Sequence, residues 1–171
     1  MLDKRDYVIQ ISKLKMGSNH CDLQVNKELF EEFGCTEAES LVCDVELEIW
    51  KQERLLEFRF AFKGEMTLIC GRCLSAMHLP IDKKTTLYVK FGGEYSEPDD
   101  MERVIPEGEN DVDILSYIYE ELRLIIPISP VHSDEKDCDR TMIEKLRADV
   151  RSEDDGNDFD PRWEKLKELK K

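Results

Sequence analysis

Between Asp44 and Lys63 the chain alternates apolar and polar residues twice in succession, and no other feature restricts its fold as strongly. Val45, Leu47 and Ile49 share one parity while Asp44, Glu46 and Glu48 take the other. After a polar connection at Lys51–Arg54, Leu56, Phe58, Phe60 and Phe62 alternate with Glu57, Arg59, Ala61 and Lys63. Successive side chains of a strand point to opposite faces, so each run predicts a strand with one dry and one wet side. The short connection makes the pair an antiparallel hairpin. Gly64 interrupts the second run, where a bulge is expected, and Met66, Leu68 and Cys70 resume it.

The same period predicts shorter strands through Tyr7, Ile9 and Ile11, through Leu23 and Val25, and through Leu87, Val89 and Phe91. Helical spacing is rarer. Leu29, Phe30 and Phe33, behind Asn26 as N-cap and ahead of Gly34 as stop, predict a short helix or turn. Ile114, Leu115, Ile118, Leu122 and Ile125 predict a longer one, capped by Asp113 and ended by Pro127. Met142, Ile143, Leu146 and Val150 suggest another, and Asp160-Pro161 opens a last one carrying Trp163, Leu166 and Leu169.

These elements sum to an α+β fold: an antiparallel β-meander followed by helices, with a short C-terminal helical tail. A chain of 171 residues fits one domain, expected over residues 1–138, with a helical, partly flexible tail at 139–171. Within the domain the expected order is strand-rich 1–91, an acidic loop 92–112, a helix 113–126 and a Cys/His segment 127–138.

Charge excludes some functions. The net charge is −14, and residues 92–121 hold eleven acids against one base, Arg103, whereas residues 1–91 carry 13 bases and 15 acids. A protein that tracks nucleic-acid phosphates needs clustered Lys and Arg, so this body is not a basic clamp. Direct RNA contact would fall to local groups such as Arg72, Lys83 and Lys84. The opening residues are charged and no apolar stretch follows, which argues against a secretory signal. Apolar runs such as Leu124-Ile125-Ile126 are too short to cross a bilayer, so a cytoplasmic protein is expected.

In that compartment the six cysteines are thiols or metal ligands rather than disulfides. Cys21, Cys35 and Cys43 stand alone beside apolar neighbours and read as packing residues. Cys70-Gly71-Arg72-Cys73 is different, because its two-residue spacer lets both sulfurs meet one tetrahedral ion. His132 and Cys138 are the remaining donors for a Cys3His zinc site. Two other readings compete: Cys70 as a core-facing strand end beside a half-buried Cys73, or a redox dithiol. The redox reading calls for a cysteine at a helix N-terminus, and no helix start follows Cys73. Glu120, Glu121 and Arg123 are expected on the solvated side of their helix, and no nucleotide-binding loop or hydrolase elbow occurs.

Three blocks carry a resemblance. They are Cys70-Gly71-Arg72-Cys73-Leu74; Asp113-Ile114-Leu115 through Glu120-Glu121-Leu122 to Ile126-Pro127-Ile128-Ser129-Pro130-Val131-His132 and Cys138; and Asp160-Pro161-Arg162-Trp163 with Leu166 and Leu169. Together they resemble the YceD-like family, the large ribosomal RNA subunit accumulation proteins. That resemblance implies a non-catalytic factor in the synthesis, processing or stability of 23S rRNA, with Cys70, Arg72, Cys73, Glu121, Pro127, Pro130, His132 and Cys138 on the family signature. Some members insert a second Cys-x-x-Cys near the C-terminus, whereas here Arg140 to Asp158 holds no cysteine. The implied partners are a large-subunit rRNA precursor or a basic ribosomal protein. Glu97, Asp99, Asp100 and Glu102 are then candidates to hold a basic partner by complementary charge, against the plainer reading of a solubilising loop. The competing function is a zinc- or thiol-dependent oxidoreductase using Cys70 and Cys73.

Overall fold

The computed structural model describes residues 3–92 and 102–154, the side chains of 149–154 aside. Its centre is the predicted hairpin. β3 (Ala38–Lys51) and β4 (Leu55–Ile69) pair antiparallel, setting Val45 opposite Phe62, Leu47 opposite Phe60 and Ile49 opposite Phe58. All six are buried, so the alternation in the sequence is the alternation of faces in the sheet. Phe58, Phe60 and Phe62 stack along β4 with centroids 6.4 and 5.9 Å apart. Fully burying side chains of this size is worth roughly 1.5–3 kcal/mol each, which makes the hairpin the energetic core.

β2 (Gly17–Asn26) adds to the free side of β3, and β5 (Ala76–Gly92) adds to β4, both antiparallel. β6 (Glu102–Pro106) closes the far edge, parallel to β5, giving the order β2-β3-β4-β5-β6. A second, two-stranded sheet pairs β1 (Val8–Gln10) with β7 (Asp111–Asp113). α1 (Glu28–Glu32) follows β2, α2 (Leu115–Arg123) follows β7, and α3 (Arg140–Asp154) comes last. On the inner face of the sheet, Tyr117 of α2 lies 5.1 Å from the ring of Phe60. Tyr119 stacks on Phe33 at 4.2 Å and meets Phe30 edge-on at 5.6 Å, joining α2 to α1.

The α+β meander with helices after it is what the structure shows. Several local expectations differ. Gly64 makes no bulge: it pairs in register with Cys43, and the register shift lies between Ala38 and Ser40 instead. Its role is close approach, since a Cβ there would fall 2.1 Å from the Val42 carbonyl oxygen. Strand 1 is shorter than expected, because Tyr7 and Ile11 belong to flanking 3-10 turns. The expected loop 92–112 contains β6 and the start of β7; both are short strands whose pairing partners lie elsewhere in the chain. Asn26 and Asp113 sit one position ahead of the assigned caps, Lys27 and Ile114, yet their side chains accept the Glu28 and Leu115 N–H groups. α2 ends at Arg123, three residues before Pro127 is reached. The helix through Met142 and Ile143 forms, whereas the expected helix at Trp163, Leu166 and Leu169 lies outside the described residues. No described helix is long and apolar enough to cross a membrane.

Candidate metal centre

β4 runs out at Ile69, and residues 70–75 turn the chain back into β5. The turn is tied by its own backbone: the Cys70 N–H donates to the Ser75 carbonyl (2.9 Å) and the Leu74 N–H to the Cys70 carbonyl (2.9 Å). Leu74 takes a left-handed conformation with φ 61° to complete it. The Gly71 N–H then reaches across to the Pro130 carbonyl at 2.7 Å, which docks the turn on the segment after α2. Cys138 is presented by a 3-10 turn at Glu135–Asp137, closed by the Asp134 carboxylate accepting the Lys136 N–H.

The outcome is convergence. The donor atoms of Cys70, Cys73, His132 and Cys138 all lie within 4.8 Å of one another, although the two pairs are some sixty residues apart in the chain. His132 Nδ1 stands 3.5 Å from Cys73 Sγ and 3.6 Å from Cys138 Sγ. In a tetrahedron built with Zn–S of about 2.3 Å and Zn–N of about 2.0 Å, a sulfur and a nitrogen ligand are separated by about 3.5 Å. The donor set therefore fits a tetrahedral ion, with His132 ligating through Nδ1. The three cysteines are buried, His132 is half-exposed, and no described buried polar side-chain atom lacks a partner.

The protonation pattern suits ligands. Burial works to raise the Cys73 thiol, but the Ser75 hydroxyl 2.9 Å away and the Ser75 and Asp139 amides outweigh it, leaving it at about 6. Burial also opposes ionisation of Cys70, and amides of Cys73, His132 and Arg72 overcome it. Cys138 is pushed up to about 11 by burial, with Cys73 and Cys70 as neighbours adding to the rise. Desolvation lowers His132, yet its bonds to Cys70 and Cys73 raise it overall. Two thiols thus favour the thiolate form and a third resists it until a cation compensates for the crowded sulfur charge.

The family pattern described as Large ribosomal RNA subunit accumulation protein YceD matches residues 58–170. The chain belongs to the YceD family. The matched region begins inside β4 and takes in the whole Cys–His centre, whereas β2 and β3 lie ahead of it. No curated protein and no solved structure matches the chain.

Around the centre, other signature residues have separable places. Arg72 directs its amide to Cys70 Sγ (3.4 Å) and its guanidinium toward Cys138 Sγ (3.9 Å), damping the charge of two ligands. Pro130 supplies the carbonyl that Gly71 grips, while Pro127 is exposed between them and α2. Glu121 overturns the expectation of a solvated helix face. It is 9 % exposed, its carboxylate 2.7 Å from Lys83 Nζ, which also donates to the Glu121 carbonyl oxygen at 3.2 Å. Lys83 lies on the inner face of β5, two residues before Thr85, which meets the Tyr117 hydroxyl of α2, so Glu121 lies against the sheet. Glu120 does remain exposed, 3.6 Å from Arg103, and Arg123 pairs with Glu37.

Of the local bases considered for RNA contact, Arg72 and Lys83 are thus engaged within the fold and Lys84 is exposed. Glu97, Asp99 and Asp100 lie outside the described residues, and Glu102 opens β6 with its carboxylate 2.8 Å from Lys90. Sequence reasoning missed Ser75 and Lys83 as partners of the signature. The missed signal at Lys83 was its parity: it follows Ile81 and precedes Leu87 on the apolar side of β5. Cys70 and Cys73 sit on a strand-to-strand turn and open no helix of their own; the amide that reaches Cys73 from a helix start is that of Asp139, just ahead of α3.

Proposed function

We propose that this YceD-family chain is a non-catalytic, cytoplasmic accessory factor in the synthesis, processing or stability of 23S rRNA, acting during large-subunit assembly. The family match over residues 58–170 is the observation that carries the role. The Cys70, Cys73, His132 and Cys138 cluster is then a structural zinc site. Its fit to a tetrahedral ion supports this, as does the absence of a fifth ionisable donor among the described residues of the cluster. A structural zinc there would supply four bonds joining the β4–β5 turn to the segment after α2.

The partner is a large-subunit rRNA precursor or a basic ribosomal protein, the basic protein being the one engaged through the acids at Glu97, Asp99, Asp100 and Glu102. The charge imbalance of residues 92–121 supports that reading, since complementary charge accelerates encounter in a salt-dependent way. Depleting the protein should lower the ratio of large to small ribosomal subunits and leave 23S precursor or fragments, most visibly in the cold. An unchanged subunit profile and intact 23S rRNA under cold growth would overturn the assignment.

A further inference from the structure

The two edges of the five-stranded sheet are finished differently. At one end β6 has only five residues and stops at Pro106. Short strands and proline are the means by which natural sheets blunt an edge against further pairing. At the other end β2 is ten residues long, contains neither Lys nor Pro, and pairs with β3 without a register shift from Gly17 to Asn26. Among the described residues no strand pairs with its outer side. Tyr7 donates to the Gln24 carbonyl at 3.1 Å, so the open part of this edge lies ahead of Gln24.

The open part is also incompletely covered on its inner face. Cys21 and Leu23 are half-exposed, whereas Leu47 and Val45, their pairing partners on β3, are 0 % and 1 % exposed. The core thus ends one strand too early to bury β2. A neighbouring strand would extend both the hydrogen-bonded ladder and the apolar face.

We infer that β2 is a self-association edge, at which a second copy of this chain adds its own β2 antiparallel with the two-fold axis at Cys21. Charge decides both the occupant and the register. A strand that pairs with itself about a two-fold must set one residue opposite its own copy. Centring on Asp22 would face aspartate with aspartate, and centring on His20 would face histidine with histidine. Centring on Cys21 places His20 opposite Asp22 twice on the outer face, where an imidazole N–H can donate to a carboxylate, and such complementary pairs across a ladder stabilise it while facing carboxylates oppose it. Within one chain His20 Nε2 already lies 3.0 Å from Asp22 Oδ1, so both groups are exposed and oriented along the same row. On the inner face the same register sets Asn19 opposite Leu23 and Cys21 opposite Cys21. Residues facing across an antiparallel pair have Cα atoms about 4.5–5.5 Å apart, within the range a disulfide can span.

The test combines sedimentation over a range of protein concentrations with crosslinking by copper phenanthroline in air, at about 0.15 M salt so that long-range repulsion is screened. When two Cys21 thiols join they lose two protons and two electrons, which copper passes to dissolved oxygen to give hydrogen peroxide. The expected result is a concentration-dependent dimer that yields a reducible crosslink, retained in Cys35→Ser and abolished in Cys21→Ser. Asp22→Lys, on the wet face and away from the metal centre, should weaken self-association about tenfold, because it replaces two favourable cross-strand pairs. The exchanged variant His20→Asp/Asp22→His recreates the same facing pairs and should restore the dimer. A chain that sediments as a monomer throughout and gives no Cys21-dependent crosslink would overturn the inference. So would a dimer indifferent to Asp22→Lys.

Discussion

The β3–β4 hairpin and the Cys–His corner meet at Ile69, yet different forces hold them. The hairpin buries Leu47, Ile49, Phe58, Phe60 and Phe62, with Phe60 against Tyr117 of α2, and its stability grows with apolar area. One turn further on, four donors from distant segments share a space a few ångströms wide, and the Gly71 to Pro130 hydrogen bond ties the two segments together. Ile128, close by, is fully exposed, and Leu74 and Leu124 are largely so. The difference teaches that the hairpin is specified by a repeated apolar face, while the corner adds to its burial a few specific polar contacts between distant segments.

Replacing a core ring should give the largest effect on global stability. Phe60→Ala removes the side chain under Tyr117 and is expected to cost about 3–5 kcal/mol in denaturant unfolding, with metal content per folded chain unchanged. A fall in metal content at conditions where the variant is folded would show that the two regions are not independent.

The converse change is Cys73→Ser. It should reduce zinc from near one per chain to near zero, lower the melting temperature, and speed hydrogen exchange in 127–138 while the hairpin amides stay protected. Acid should act on the same place. In the metal-free chain the Cys73 thiol is depressed to about 6, so the stability it contributes is complete above its ordinary value near 9 and is lost as pH falls through about 6. Metal-free wild type with unchanged melting and exchange would erase the contrast.

Lys83→Met probes the polar tie between β5 and α2, the elements that flank both regions. It leaves the Glu121 carboxylate 9 % exposed without its cation, and because Lys83 is only partly buried the cost should be about 2 kcal/mol, between exposed and buried ion pairs. Glu121→Gln, which retains an acceptor, should cost less; equal losses for both would mean that the charge is irrelevant. Smallest is the effect of neutralising Glu97, Asp99, Asp100 and Glu102. Stability should change by no more than about 0.5 kcal/mol, while binding to ribosomal precursors weakens and the loss shrinks as salt rises. Undiminished binding at low salt would reduce these acids to a solubility device.

Local patterns were readable because they depend on neighbours in the chain. The phase of Leu56, Phe58, Phe60 and Phe62 assigns a strand wherever it lies, and the spacing of Cys70 and Cys73 places two sulfurs on one turn. His132 and Cys138 could be nominated as their complement by residue type alone. β6 and β7 were hidden by the opposite circumstance. Glu102–Pro106 and Asp111–Asp113 are five and three residues long, too short to show a clear period, and they pair with β5 and β1. Gly64 looked like a bulge because its reason for being glycine, the Val42 carbonyl, belongs to another strand.

By itself, then, the sequence determined the long strands and the helix after the acidic segment, which of their faces are apolar, and which side chains can ligate an ion, since period, side-chain volume and ligand chemistry are local properties. The tertiary structure decided that Glu121 is buried against Lys83, that Gly71 docks on Pro130, and that His132 Nδ1 stands between two sulfurs. Those outcomes depend on distances between residues dozens of positions apart, which are set only when the sheet twists, α2 packs on its inner face and the chain after α2 is brought back to the end of β4.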